Sequence, residues 1–288
     1  MARRLTSPRW VGILGFVIPQ AVILLGGRGT RLAAQFPDRP KCLVPVAGRP
    51  FLERQFDWLK KNGIGRALLA AGYQADVLER HLDARPADAL QIVLAREPAP
   101  RGTGGALKFV EPLLATDPVL VLNGDSLVPN LDFSTPWKSF TEFFHAMEKN
   151  GPVFPRHGKV FPSFSTPWKN PEGFFRAMEN FHPGCGILGV APIADPGRYG
   201  TVEFGADGIV TAFREKAERT AGFVNAGIYL LPRALIAAIP AGRAVSIETE
   251  VFPELAAQRR LVAVPVPPPL LDMGTPEGLA DMERFLSA

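Results

Sequence analysis

The chain carries an apolar run, Ala21-Val22-Ile23-Leu24-Leu25, and directly after it the glycine-rich stretch Gly26-Gly27-Arg28-Gly29-Thr30-Arg31-Leu32. A short, partly β-branched apolar run that ends in glycines is typical of a buried strand that brings its backbone to a ligand. Because glycine has no Cβ, successive N–H groups of such a loop can turn toward an anion. Arg31 and Lys41 add positive charge nearby, which suits a polyphosphate. We therefore predict a phosphate-binding loop at the end of the first strand.

Two common phosphate loops do not fit this stretch. A P-loop requires a lysine directly after its last glycine, and none stands at that spacing. A dinucleotide fold requires G-x-G-x-x-G/A, but Leu32 holds the position of the last glycine, and no carboxylate follows the next apolar run at 67–71. A tight glycine turn with two solvated cations is the alternative that the loop, taken alone, leaves open.

Strand and helix signals alternate downstream of the loop. This alternation predicts an α/β fold whose mostly parallel sheet has helices on both faces. The predicted strands cover residues 67–71, 91–95, 118–122, 224–231 and 261–265, with a hairpin around 205–208. The predicted helices cover residues 51–61, 75–82, 247–258 and 276–286, and a second glycine loop at 102–105 opens one that runs to 114.

Composition narrows the class of protein. A chain of 288 residues with 47% hydrophobic content can bury a full core. The formal net charge of +4 is scattered, so it indicates no nucleic-acid surface and suits small anionic substrates. Cys42 and Cys185 form no disulfide framework, which favours a reducing cytoplasm, and Cys42 is interpreted as a small buried thiol. The four histidines show no metal-ligand spacing.

Residues 1–19 resemble the charged and apolar regions of a signal peptide. No small-x-small cleavage site follows them, and Pro19-Gln20 leads straight into the first predicted strand. The apolar run is also too short to span a bilayer by itself. We therefore expect an N-terminal extension at 1–19 on a cytoplasmic protein.

Two aspartates are candidates for a metal site. Asp125 ends the predicted strand 118–122 in the run Asn123-Gly124-Asp125, and ligands of open α/β sheets bind beyond the carboxyl ends of strands. Asp272 lies in the loop before the last predicted helix and is a second candidate. Mg²⁺ takes one or two protein carboxylates and completes its octahedron with phosphate oxygens and water. The alternatives are a turn aspartate and a helix-start residue, with Thr275 as the closer N-cap.

Six motifs, in this order, resemble those of the sugar-1-phosphate nucleotidyltransferases. They are residues 26–32 with Pro40-Lys41, Gly102-Thr103-Gly104-Gly105-Ala106, Asn123-Gly124-Asp125, Phe213-Arg214-Glu215-Lys216, Val224-Asn225-Ala226-Gly227 and Leu271-Asp272-Met273-Gly274-Thr275-Pro276. The resemblance covers residues 20–288 and implies a Rossmann-like three-layer sandwich with a mixed, mostly parallel central sheet. It also implies the reaction NTP + sugar-1-phosphate → NDP-sugar + pyrophosphate, with Mg²⁺ as cofactor. The expected partners are those two substrates, without nucleic acid or membrane, and a homo-oligomer stays open.

The resemblance assigns roles residue by residue. The implied catalytic residues are Arg31, Lys41 and Asp125. The implied nucleotide-binding residues are Gly26, Gly27, Gly29, Thr30, Gly102, Thr103, Gly104 and Gly105. The implied sugar-phosphate-binding residues are Glu215, Lys216, Asn225 and Gly227, and the implied metal ligands are Asp125 and Asp272.

The identity of the sugar and of the base is less constrained. The runs 48–53, 198–200 and 246–248, together with the Asp272 loop, look most like the heptose-1-phosphate guanylyltransferases, so GTP and a heptose-1-phosphate are expected. Mannose-1-phosphate guanylyl-, glucose-1-phosphate thymidylyl- and muramate-1-phosphate uridylyltransferases remain alternatives. A catalytically silent nucleotide-sugar sensor is the alternative from another class, although the charged site residues are all present. A glycosyltransferase would usually show Asp-x-Asp, but Leu127 occupies the second position.

A duplication interrupts the resemblance around residues 133–181. Phe133-Ser134-Thr135-Pro136-Trp137-Lys138 recurs as Phe164-Ser165-Thr166-Pro167-Trp168-Lys169, and the similarity continues into the run at 143–148 and its copy at 174–179. Two units are too few for a solenoid. We expect a local duplication that forms a loop and one extra helix; an aromatic lid or an oligomer contact is the alternative.

Overall fold

The computed structural model describes residues 20–27, 29–131, 184–193, 200–205, 207–214 and 222–287. In the first half of the chain, the strands are β1 (Gln20–Leu24), β2 (Pro45–Val46), β3 (Arg49–Pro50), β4 (Arg66–Ala71), β5 (Gln91–Arg96), β6 (Val119–Asn123) and β7 (Ser126–Leu127). The helices there are α1 (Thr30–Ala33), α2 (Phe51–Lys61), α3 (Ala75–Asp83) and α4 (Gly102–Val110), with 3-10 turns at Lys41–Leu43 and Glu111–Leu113.

The second half completes the sheet. Its strands are β8 (Gly186–Ile193), β9 (Thr201–Phe204), β10 (Val210–Arg214), β11 (Gly222–Leu231), β12 (Leu261–Pro265) and β13 (Leu271–Asp272). Its helices are α5 (Arg233–Ala237), α6 (Phe252–Ala257), which follows a π-helical turn at Ile247–Val251, and α7 (Pro276–Ser287).

In the part of the chain that the structure describes, the main sheet has nine strands and is mixed. Its path is β10-β9-β11-β6-β1-β4-β5, and β8 joins β11 to β12. The strands β6, β1, β4 and β5 pair in parallel, whereas β11 runs antiparallel to both β6 and β8. The order places β1, with its glycine loop, between β6 and β4. The loops that follow β1, β4, β5 and β6 therefore meet at one edge of the sheet.

Both faces of the sheet are covered, which explains the continuous apolar runs. Alternate side chains of β1 belong to different cores: Ala21 and Ile23 pack with α2, α3 and α7, whereas Val22 and Leu24 pack with α4, α5 and α6. The predicted three-layer α/β architecture with a mixed sheet is therefore confirmed.

Most predicted elements are found within one or two residues of their expected bounds, but two differ. The helix predicted at 247–258 is divided, because a π-helical turn precedes α6. The helix predicted to run to 114 ends at Val110 and continues as a 3-10 turn. Thr275 accepts a hydrogen bond from Gly278 N at 3.2 Å, as an N-cap does, whereas Asp272 belongs to β13.

The N-terminal extension at 1–19 and the duplication around 133–181 lie outside the described residues, so both remain sequence-based expectations. Within the ranges that the structure describes, no helix is long and apolar enough to cross a membrane.

Candidate active site

A cleft of about 660 Å³ opens where the loops after β1, β4, β5 and β6 meet. Ligands of open α/β sheets bind at this edge. Several of the predicted site residues line the cleft, namely Gly26, Gly27, Gly29, Lys41, Gly102, Thr103 and Asp125. Other lining residues that bear on the chemistry are Tyr73, Glu97, Arg101, Asn123 and Glu248.

The glycine loop after β1 leaves open space for a ligand. A Cβ on Gly27 would meet nothing within 4 Å, so the backbone there faces the cleft without obstruction. Gly29 has a φ of +57°, and a Cβ on it would lie 3.1 Å from Lys41 Cβ. Its missing side chain therefore makes room for the stem of that lysine. Arg31 is exposed in α1 and is not among the lining residues, and the side chain of Thr30 is not described.

Lys41 and Asp125 form an ion pair in the cleft. Lys41 Nζ lies 2.6 Å from Asp125 Oδ2, and the two side chains are 15% and 35% exposed. The other oxygen, Oδ1, accepts a hydrogen bond from Ser126 Oγ at 3.2 Å. Gly124 allows the turn to approach β1, since a Cβ there would overlap Leu24 and Leu25. The carboxylate is thus held in place by a cation and a hydroxyl.

The second aspartate lies beside the first. In the two-stranded pairing of β7 with β13, Asp272 is opposite Ser126, and Met273 N donates to the carbonyl of Asp125 at 3.0 Å. A Cβ on Gly274 would lie 2.7 Å from Asp272 Oδ1 and 3.7 Å from Lys41 Nζ. The structure therefore brings Asp125, Asp272 and Lys41 to one place, which sequence spacing could not show.

This donor set fits Mg²⁺. Two carboxylates from adjacent backbones are the protein ligands that Mg²⁺ takes when phosphate oxygens and water complete its octahedron. No group of three or more His, Cys, Asp or Glu side chains is placed to hold a metal in the part of the chain that the structure describes. A site of two carboxylates therefore suits a metal that arrives with a phosphate ligand better than it suits a metal held by protein groups alone.

The second glycine segment is packed against another part of the chain. Gly104 N and Gly105 N both donate to the carbonyl of Val245, at 2.9 and 3.2 Å, and Val245 N donates to the carbonyl of Arg101 at 2.8 Å. Gly102 has a φ of +68°, and a Cβ on it would overlap the Val245 carbonyl. The N–H groups of Gly104 and Gly105, two of the residues predicted to bind the nucleotide, are therefore already used within the chain.

Thr103 is likewise engaged by its own chain. Its hydroxyl donates to Glu248 Oε2 at 2.6 Å and accepts from Ile247 N at 2.9 Å. Ser246 Oγ also donates to Glu248 Oε2, at 3.1 Å. These bonds fix Glu248 at the start of the π-helical turn, with its side chain lining the cleft.

Glu97 is a cleft residue that sequence reasoning missed. It follows β5, is only 9% exposed, and its Oε1 has no hydrogen-bond partner among the described residues. A Cβ on Gly26 would lie 2.8 Å from that oxygen, so the carboxylate faces the glycine loop. Burial raises the pKa of Glu97 above its usual value, although the nearby Arg101 acts in the opposite direction. The signal available in the sequence was a carboxylate directly after a strand.

Asn225 and Gly227, predicted for the sugar, lie behind Asn123. Asn225 Nδ2 donates to the Tyr229 hydroxyl at 3.0 Å, and Asn225 Oδ1 accepts from Gly227 N at 2.8 Å. The Tyr229 hydroxyl donates to Asn123 Oδ1 at 3.4 Å. Gly227 has a φ of +70°, and a Cβ there would lie 3.0 Å from Asn123 Cβ. The network joins β11 to the cleft through Asn123, and Tyr229 is a member that the sequence did not indicate.

Three remaining sequence predictions have different outcomes. Cys42 is buried, which confirms its interpretation as a small buried thiol, and burial raises the pKa of that thiol to about 12. Glu215 and Lys216 lie outside the described residues, so their assignment to the sugar phosphate stays a prediction.

Comparison with known proteins agrees with the family resemblance seen in the sequence. The nucleotidyl transferase family matches residues 20–151 and 174–288. Mannose-1-phosphate guanylyltransferase catalytic subunit beta of Drosophila pseudoobscura pseudoobscura is 30% identical over 275 residues, which are 93% of this chain and 63% of that protein. Mannose-1-phosphate guanylyltransferase of Mycobacterium tuberculosis is 31% identical over 274 residues, covering 93% and 65%. The chain thus spans slightly less than two thirds of the length of these curated relatives.

Solved structures share the fold. HddC from Yersinia pseudotuberculosis superposes with a TM-score of 0.69 at 24% identity, covering 93% of this chain and 99% of that one. A UDP-glucose pyrophosphorylase complexed with UDP-glucose gives a TM-score of 0.65 at 16% identity, with coverages of 94% and 98%. The family match covers most of the chain, and it includes every residue that the cleft brings together. The chain belongs to the nucleotidyl transferase family.

Proposed function

We propose that the chain transfers a nucleoside monophosphate from an NTP, with GTP preferred, to a sugar-1-phosphate and releases pyrophosphate. The observation that carries this proposal is the ion pair of Lys41 with Asp125 in the cleft that the open glycine loop lines, with Asp272 on the strand paired beside Asp125. The mannose-1-phosphate guanylyltransferases that align with 93% of this chain support it.

The groups present suit direct phosphoryl chemistry. A phosphate oxygen of the sugar-1-phosphate is already an anionic nucleophile, so its attack on the α-phosphorus requires no side-chain base. Catalysis then depends on positioning and on neutralising the charge that spreads over the transferred group. We propose that Lys41 donates to the α-phosphate and that Asp125 and Asp272 hold Mg²⁺. When bound, Mg²⁺ would neutralise phosphate charge and orient the pyrophosphate leaving group.

The base preference is proposed from Glu97. Guanine presents two adjacent donors, N1–H and the 2-amino group, to a carboxylate. Uracil and thymine present a single N3–H, flanked by carbonyl oxygens that a carboxylate repels. The Glu97 carboxylate, which lines the cleft beside Gly26, therefore favours guanine. HddC has been solved in complex with GMP-PN, in agreement with this preference.

The sugar phosphate is proposed to lie on the other side of the Asp125 turn. Asn225, bonded through Tyr229 to Asn123, would take a sugar hydroxyl, and Lys216 would bind the phosphate. A heptose-1-phosphate and mannose-1-phosphate are the two candidates, the first from the sequence motifs and the second from the curated relatives. We propose the cytoplasm as the place of action, because Cys42 and Cys185 are both free and buried.

The test is pyrophosphate release measured over a grid of four NTPs and several sugar-1-phosphates, including heptose-1-phosphate and mannose-1-phosphate. We expect turnover with GTP and Mg²⁺, and its loss when EDTA is added. Nucleotide-sugar binding without turnover in every well would contradict the proposal and favour a sensor. Turnover with UTP or dTTP in place of GTP would contradict the base assignment alone.

A further inference from the structure

Helix α2 holds the chain segment that follows β6 through three side chains. Trp58 Nε1 donates to the carbonyl of Val128 at 3.0 Å, and Asn62 Nδ2 makes a long bond of 3.5 Å to the carbonyl of Leu131. The third side chain, Gln55, lies one turn earlier and reaches the turn that carries Asp125. The three side chains are buried to a similar extent, but only Gln55 forms its hydrogen bonds at the candidate active site.

Gln55 closes this turn from behind. Its Nε2 donates to the carbonyl of Asn123 at 2.9 Å and to that of Ser126 at 3.2 Å, so one amide bridges both sides of Asp125. The side chain is 1% exposed, and no substrate can contact it. The orientation of the amide follows from its partners, because the opposite orientation would point its oxygen at two carbonyl oxygens.

The other atom of the amide indicates that stability alone does not explain this residue. Gln55 Oε1 is buried and has no hydrogen-bond partner among the described residues. A buried acceptor without a partner destabilises the fold. An amide at such a position therefore favours a role in the geometry of the site.

We propose that Gln55 is a positioning residue: it fixes the Asn123–Ser126 turn so that the Asp125 carboxylate faces Lys41 and the metal position. This inference rests on the proposed function for its kinetic consequence. Through Gln55, helix α2 would then contribute to turnover although this side chain does not contact the substrate. Such outer partners of metal-binding groups are typically worth 10- to 100-fold in activity or metal affinity.

The test compares Gln55→Leu with Trp58→Phe. Both variants remove a buried N–H donor of the same helix from the same segment, but Trp58→Phe leaves the Asp125 turn untouched. We expect both to lower the thermal midpoint. Gln55→Leu should lower kcat about 10-fold or more with a smaller change in either KM, whereas Trp58→Phe should keep kcat near the wild-type value. Equal kcat values for Gln55→Leu and Trp58→Phe would overturn the proposal.

The Gln55→Glu variant provides a second test in case Gln55→Leu does not fold. A protonated carboxyl has the shape of the amide and can donate to one of the two carbonyls, whereas an ionised one cannot donate at all. Its kcat, relative to wild type at the same pH, should therefore rise as the pH falls and exceed that of Gln55→Leu. A ratio independent of pH and no higher than that of Gln55→Leu would contradict the proposal.

Two further measurements separate this inference from the proposed function. The first is Mn²⁺ affinity, titrated by paramagnetic resonance with GTP present. The second is deuterium uptake by peptides covering residues 122–128, which should be faster in Gln55→Leu than in Trp58→Phe. If the wild type shows no turnover, the proposed function fails. The comparison of Gln55→Leu with Trp58→Phe in Mn²⁺ affinity and in deuterium uptake then still tests the positioning role. If the wild type turns over, and Gln55→Leu equals Trp58→Phe in kcat, in Mn²⁺ affinity and in deuterium uptake, the positioning role alone fails.

Discussion

Lys41 Nζ lies 2.6 Å from Asp125 Oδ2, on the carboxylate that the metal is proposed to use. Because Gly29 packs against the stem of the lysine, the ammonium group is held at this position. A free cation must then compete with a bound ammonium for the same oxygen. A nucleotide phosphate would offer Lys41 another anionic partner, and the carboxylate would become available to the metal at the same time.

Lys41→Met is therefore expected to have two opposite effects. Turnover should fall, because an interaction with charge that develops at the α-phosphate is lost. Mn²⁺ binding without nucleotide, followed by paramagnetic resonance, should become tighter. Lys108→Met, which removes an equal charge from an ion pair with Glu111, is the control for net charge. Unchanged Mn²⁺ affinity in Lys41→Met would contradict competition for the carboxylate.

Asp125 and Asp272 should behave as a unit if they hold the same ion. Asp125→Ala and Asp272→Ala should each remove most of the turnover, and the double variant should be little worse than either. Kinetics of the three variants over a range of Mg²⁺ concentrations provide the measurement, with circular dichroism as a check on folding. Losses that multiply would indicate two independent roles.

Glu97→Gln tests the base preference at nearly constant shape. The substitution replaces one carboxylate acceptor by a donor, so one of the two donors of guanine loses its partner. We expect kcat/KM for GTP to fall by about 10-fold or more, as for a lost hydrogen bond to a charged group, while the value for UTP stays equal or rises. The ratio of the two constants is the quantity to compare. An unchanged ratio would exclude Glu97 from base selection.

Asp88 makes part of the stability depend on pH. Burial would raise the pKa of this carboxyl, but hydrogen bonds from Arg85 and Lys60 outweigh that effect and lower the pKa to about 2. A depressed pKa stabilises the fold above the unfolded value of 3.8, and the contribution disappears as the pH falls toward 2. Asp88→Asn should therefore lower the unfolding free energy at pH 7 by on the order of 1 kcal/mol after solvent screening. In urea titrations, the difference from wild type should shrink below pH 4; a constant difference would contradict this assignment.

The duplication is tested by deletion of residues 151–181. The family match leaves residues 152–173 unaligned, which fall inside this segment. The entropy of closing a loop grows slowly with length, so the shorter chain should be equally or slightly more stable and keep its kcat/KM. Thermal melts, kinetics and size-exclusion chromatography provide the readouts. An inactive product, or one with a changed oligomeric state, would favour a lid or a subunit contact.

Most of the fold could be predicted from the sequence because central strands such as β1, β4 and β6 are buried on both faces. Runs such as residues 67–71 and 261–265 are apolar throughout, and their bounds could be predicted closely. The glycine loop and Lys41 were likewise visible as local patterns. The residues that contact this loop could not be predicted from local patterns, because the approach of Glu97 to Gly26 depends on the order of β5, β4 and β1 in the sheet. The bond from Gln55 to the Asn123 carbonyl joins residues 68 positions apart, and no local pattern indicates such a contact.

The packing of Gly102, Gly104 and Gly105 against Val245 has a consequence for mutational scanning. A Cβ on Gly102 would overlap the Val245 carbonyl, and one on Gly104 or Gly105 would lie 3.0 Å from Val245 Cγ1 or 2.9 Å from Arg101 Cβ. A loss of activity in an alanine variant there would therefore report strain in a wall of the cleft. Libraries designed to change nucleotide choice should leave these three positions fixed and vary Glu97 instead. In this segment, intolerance to substitution measures first how closely two stretches of the chain fit together, and by itself it does not show contact with the nucleotide.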